Sequence, residues 1–98
     1  VKIKTSELLE VIDILKKNIL TNHPSGVDVD NDDYYWDIPE NEIYNPSTQP
    51  NDLTLGQLSE DWKELLRLKE KESIPISYDL KRLAVILQVI RKESVGKW

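Results

Sequence analysis

Four aspartates open the most acidic stretch of this 98-residue chain. Asp28, Asp30 and Asp32 alternate, with Asp33 directly after them, and oxygens at every second position are how a calcium loop wraps a hard cation. The match then stops. Asp33 stands where the loop's sharp turn needs glycine, and Pro39 stands where it needs a bidentate glutamate. A non-standard cation site built from Asp28, Asp30, Asp32 and Asp33 is therefore the alternative to a solvated acidic loop. Zinc is poorly supplied, since His23 is the one histidine and there is no cysteine.

The residues that carry catalysis are not arranged for it. His23 lies in His23-Pro24-Ser25-Gly26, a turn at a helix end, where a turn role is commoner than a general base. Glu40 and Glu42 offer two carboxylates for acid–base work, but neighbouring acids at a helix start are ordinary. Gly26, Gly56 and Gly96 stand too far apart to cradle a phosphate, and no nucleophile signature is present. The sequence predicts no catalytic residue and no cofactor, and the chain reads as a non-enzyme.

The aromatic residues are more informative. Tyr34, Tyr35, Trp36 and Tyr44 are four of the seven, and all lie in the acidic segment. Tyr and Trp give large contact area at low entropic cost, and acids around them steer a basic partner. Asp33, Tyr34, Tyr35, Trp36, Asp37, Glu40, Glu42 and Tyr44 are thus the candidate partner-binding residues. The competing reading has these rings closing a core. Alternation along Tyr34-Tyr35-Trp36-Asp37-Ile38 places Trp36 and Ile38 inward and Tyr35 outward.

Three helices must position this segment. The first spans about 6–20, with Leu8, Ile12, Leu15 and Ile19 on one stripe, widened by Leu9, Val11 and Ile14, and with Thr5 or Ser6 as its cap. The second spans about 55–71. Thr54 and Gln57 have capping-box spacing, Leu53 and Leu58 flank them as a staple, and Leu58, Trp62, Leu65 and Leu66 form its core face. The third spans about 78–94, capped by Ser77, with Leu80, Leu83, Ala84, Leu87 and Ile90 on its main stripe. Val85, Ile86 and Val89 add a second apolar surface, and Gly96 supplies a left-handed stop. The irregular acidic segment, about 21–53, holds a short extended piece at Tyr34–Ile38, one or two helical turns from Pro39 to Tyr44, and a turn-rich connector to Asp52. The expected fold is all-α, a three-helix bundle in a single domain over 1–98.

Charge follows the same division. Residues 1–20 carry net +1 and residues 54–98 net +2, while residues 21–53 carry eight acids and no Lys or Arg. Such a field repels phosphate, which argues against nucleic acid and anionic membrane as partners and favours a protein with a basic surface. The longest apolar runs, such as Leu83–Leu87, fall far short of the roughly 20 residues that span a bilayer. Val1–Glu7 lacks the apolar core of a secretory signal. With no cysteine, these features predict a cytoplasmic setting.

The run Tyr35-Trp36-Asp37-Ile38-Pro39-Glu40, with Glu42 and Tyr44, precedes Leu53-Thr54-Leu55-Gly56-Gln57-Leu58 and the Asp61-Trp62 pair. Together these resemble a family of small bacterial proteins, notably cyanobacterial ones, to which no activity is assigned. The resemblance covers the central third to half of the chain and implies a bacterial, cytoplasmic protein. The leading expectation is a non-catalytic interaction module, immunity-like or accessory in kind. A cation-binding domain and an acidic mimic of nucleic acid are the alternatives.

Overall fold

The structure, a computed structural model, describes residues 1–37 and 54–98. Among these are three α-helices, α1 (Thr5–Asn22), α2 (Leu58–Lys69) and α3 (Tyr78–Ser94), and two strands, β1 (Tyr34–Asp37) and β2 (Thr54–Gln57). The expected all-α bundle is corrected to a small mixed α/β fold. The reason lies in residues 54–57. The spacing of Thr54 and Gln57 reads as a capping box, but both belong to β2, and α2 starts only at Leu58. Gln57 is its extended N-cap residue and makes no side-chain cap bond. The aromatic run of β1 pairs with this stretch, and cross-strand pairing outweighs the local helix-start signal. The helical turns expected at Pro39–Tyr44, the connector to Asp52 and the staple residue Leu53 lie outside the described residues.

The strands run antiparallel, with Tyr34 opposite Gln57, Tyr35 opposite Gly56, Trp36 opposite Leu55 and Asp37 opposite Thr54. One residue beyond, the Leu58 amide donates to the Asp33 carbonyl at 2.6 Å. That bond continues the same register into α2. Alternation then makes Tyr35–Gly56 a hydrogen-bonded pair. Tyr34–Gln57 and Trp36–Leu55 are non-hydrogen-bonded pairs, in which side chains stand closer together.

The chain divides into two compact units, Val1–Asp28 with Ile90–Trp98, and Val29–Val89. In the first, α1 begins after an extended Lys4, whose carbonyl accepts from Leu8, so Thr5 and Ser6 are already helical and neither caps. At the other end Thr21 Oγ1 and Asn22 Nδ2 donate back to the Lys17 and Asn18 carbonyls. His23-Pro24-Ser25-Gly26 ends the helix as its composition predicts, with Gly26 at φ 126°. Helix α1 buries none of its residues, and Leu8, Leu9, Val11, Ile12, Ile14 and Leu15 are all exposed. The rest of its unit is its own short flanks, residues 1–4 and 23–28, and residues 90–98. His23 Nε2 lies 2.8 Å from Ser94 Oγ, and the buried Ser94 hydroxyl donates to the Ile90 carbonyl at 2.6 Å. With the hydroxyl proton so used, Ser94 accepts from His23, which fixes the ring proton on Nε2.

Among the described residues of the second unit, Leu58 and Val89 are the buried apolar ones. The stripe expected to face the core of α3 is turned outward at Leu80, Leu83 and Leu87, while Val85 and Ile86 are half-buried. Trp62, read from its spacing as core, is 50% exposed. Within this unit the two strands make the most extensive packing between described elements, so α2 and α3 do not mesh as bundle helices do.

Helix α2 ends in a full Schellman motif, with Glu72 N–H to Arg67 O at 2.8 Å and Lys71 N–H to Leu68 O at 3.2 Å. The left-handed position is taken by Lys71, at φ 60°, where glycine is usual. A Cβ there costs about 1 kcal/mol or more, partly offset by the greater unfolded-state entropy of glycine. Lys71→Gly is expected to raise stability by about 0.5–1 kcal/mol, read as a higher urea midpoint at unchanged m-value.

Candidate functional site

The two strands form a ribbon with two chemically different faces. Side chains alternate along β1, so Tyr35 points to one face, and Tyr34 and Trp36 to the other. Opposite Tyr35 stands Gly56. A Cβ at that position would overlap the Tyr35 ring, so the phenol lies directly on the glycine backbone. Glycine inside a strand marks such close approach, and the ring in turn covers backbone the glycine leaves bare.

The far end of the Tyr35 ring is held by both following helices. Its hydroxyl donates to Asp61 Oδ2 on α2 and accepts from Lys81 Nζ on α3 at 2.6 Å. The Lys81 ammonium also lies 4.7 Å from the centre of the Tyr35 ring and 5.2 Å from that of Tyr78, and the Arg82 guanidinium lies 4.6 Å from the Tyr78 ring. Burial first, and then the bond given to Asp61, holds the Tyr35 phenol above its ordinary value of 10.0, with Lys81 pulling the other way. A tyrosine serving as a general base needs the opposite shift. The Lys81–Tyr35–Asp61 chain is a neutral-phenol clamp joining strand to helices.

Asp33 does a second structural job. Its carboxylate accepts from Gln57 Nε2 at 2.8 Å, the Ser59 amide at 2.7 Å and Ser59 Oγ at 3.1 Å. It therefore supplies from β1's side the cap that the sequence assigns to Thr54. The Gln57 bond, followed by the Ser59 amide, holds its carboxyl below the ordinary 3.8. At the start of α3, Asp79 accepts from the Ile76 amide at 2.9 Å and from Arg82 at 2.8 Å, and the Ser77 carbonyl accepts from the Leu80 amide.

The candidate cation ligands are not gathered. Asp30–Asp32 form a single 3-10 turn, which sends successive side chains about 120° apart, and Asp33 is committed to α2. Among the described residues no three His, Asp or Glu side chains converge on a point.

The opposite face of the ribbon is open. Tyr34 is 62% exposed, Trp36 71% and Leu55 59%. Gln57 Nε2 reaches the Tyr34 hydroxyl at 3.3 Å, which places that pair side by side with Trp36 and Leu55. The expected alternation is present with its phase reversed: Tyr35 is inward and Trp36 outward. Asp37 ends β1, while Glu40, Glu42, Tyr44 and Ile38 lie outside the described residues. Lys81 is a residue that the sequence does not single out, and Asp61 and Gly56 are not given this role there. Gly56 within Leu55-Gly56-Gln57 carried the one usable signal, a glycine in a strand-like run.

Two outcomes test this geometry. Gly56→Ala is expected to destabilise by about 1–3 kcal/mol, and by much less in a Tyr35→Ala background, a coupling readable by a double-mutant cycle in urea. For Asp33 the folded-state value is depressed, so its contribution is complete above pH 3.8 and disappears as pH falls through the lower folded value. The stability gap between wild type and Asp33→Ala should therefore narrow progressively in acid, measured by denaturation at neutral pH and at a series of values below pH 3.8.

No protein-family model, no curated protein and no solved structure matches this chain.

Proposed function

We propose that this protein is a non-catalytic protein–protein interaction module, immunity-like or accessory in kind, that binds its partner through the Tyr34–Trp36–Leu55 face of the ribbon. One observation carries this reading: two aromatic rings and a leucine stand exposed together on one face of the ribbon, and the strand that bears the rings lies in the segment, residues 21–53, that holds eight of the chain's acids. Rigid aromatic side chains on a strand lose little entropy on binding and are frequent hot spots. The surrounding acids favour a partner with a basic surface and disfavour nucleic acid or an anionic membrane. Among the described residues no helix is long and apolar enough to cross a membrane. A cytoplasmic setting suits a chain without cysteine. The neutral Tyr35 clamp supports a structural rather than catalytic use of the most tightly arranged polar group.

Affinity capture from native-host lysate, followed by titration of the purified pair, tests this. Trp36→Ala is expected to weaken the complex about 30-fold or more, while raising the salt concentration slows association. Retention of the same proteins at the same affinity by wild type and by a folded Tyr34→Ala/Trp36→Ala variant would contradict it.

A further inference from the structure

The partner's chemistry can be narrowed from the same face, and this step rests on the reading above. The exposed ring of Trp36 is the best single-residue acceptor for a cation lying over an aromatic face, and Tyr34 on the same face is the next. Residues 29–37, which lead into and form β1, contribute Asp30, Asp32, Asp33 and Asp37 with no Lys or Arg, so the field around these rings attracts cations and repels anions. The inner half of the same unit already uses this chemistry, where Lys81 lies over Tyr35 and Tyr78 and Arg82 over Tyr78. A second copy of the ribbon brings the same acids and is repelled.

We infer that the outer face of the ribbon takes an arginine side chain of the partner protein, its guanidinium stacked on Trp36 and flanked by Tyr34 and Leu55. Arginine fits better than lysine because its planar, weakly hydrated guanidinium stacks flat on an indole, while the leucine packs against its methylene stem. The non-hydrogen-bonded Trp36–Leu55 pair stands close enough to offer ring and alkyl surface together.

The test uses the full chain and three synthetic peptides of one sequence, alternating threonine with arginine, with lysine or with citrulline, titrated by two-dimensional NMR. The arginine peptide is expected to bind with shifts centred on Tyr34, Trp36, Leu55 and Gln57. Binding should weaken about fivefold with lysine, be lost with citrulline, and weaken about tenfold for Trp36→Ala. Tyr34→Ala, which leaves the Trp36 indole in place, gives a smaller loss and guards against a Trp36 variant that fails to fold. Equal binding by the citrulline peptide, shifts centred elsewhere, or binding unaffected by Trp36→Ala would each overturn the arginine assignment. So would absence of binding at millimolar peptide, or concentration-dependent dimer formation through this face. If the captured partner still depends on Trp36 while the arginine peptide does not bind, the arginine assignment fails and the interaction module stands.

Discussion

The second unit depends on the placement of one ring. Tyr35 lies flat on Gly56, where any Cβ would collide with it, and its hydroxyl is shared between a carboxylate on α2 and an ammonium on α3. Strand pairing brings the ring to the glycine, and the two polar bonds bring the helices to the ring. Among the described residues few other groups perform that linking task, because the buried apolar ones in this unit are Leu58 and Val89. Burying a large side chain is worth roughly 1.5–3 kcal/mol. A half-buried tyrosine with two charge-assisted bonds, each worth about 1.5–3 kcal/mol, is of the same order as those two residues together.

The functional consequence is a matter of parity. With period two along β1, fixing Tyr35 inward forces Tyr34 and Trp36 outward. The outer aromatic face is therefore tied to the inner clamp, and neither can change phase without the other. Asp33 reinforces this by fastening the residue before β1 to the first turn of α2. A face held in this way has little ordering entropy left to lose when a partner docks, which favours its use as a recognition surface.

Much of the local order was legible in the sequence. The three helices fall close to where apolar periodicity puts them, the His23–Gly26 turn and the Gly96 stop are in place, and Tyr34–Asp37 is extended as its composition indicates. What failed was everything requiring a partner distant in sequence. Thr54 and Gln57 resemble a cap locally, but their strand role depends on β1, some twenty residues earlier. Asp33 caps α2 across a similar separation, so no short spacing reveals it. Alternation along Tyr34–Ile38 gives the period, but nothing local fixes its phase, and the structure has Tyr35 inward and Trp36 outward. The deciding contact was steric, a phenol fitting over a glycine, and that becomes visible only once the register is known. The exposed apolar face of α1 and the outward turn of Leu80, Leu83 and Leu87 show the complementary failure: amphipathic spacing marks a face without saying what covers it.

The most direct measurement is the urea stability of Tyr35→Ala beside that of Trp36→Ala. With Tyr35 as the inward clamp and Trp36 on the open face, Tyr35→Ala should cost about 2 kcal/mol or more. Trp36→Ala should cost no more than about 0.5 kcal/mol. The reverse order, with Trp36→Ala the more damaging, would place the indole in the core and contradict both the clamp and the recognition face proposed on it.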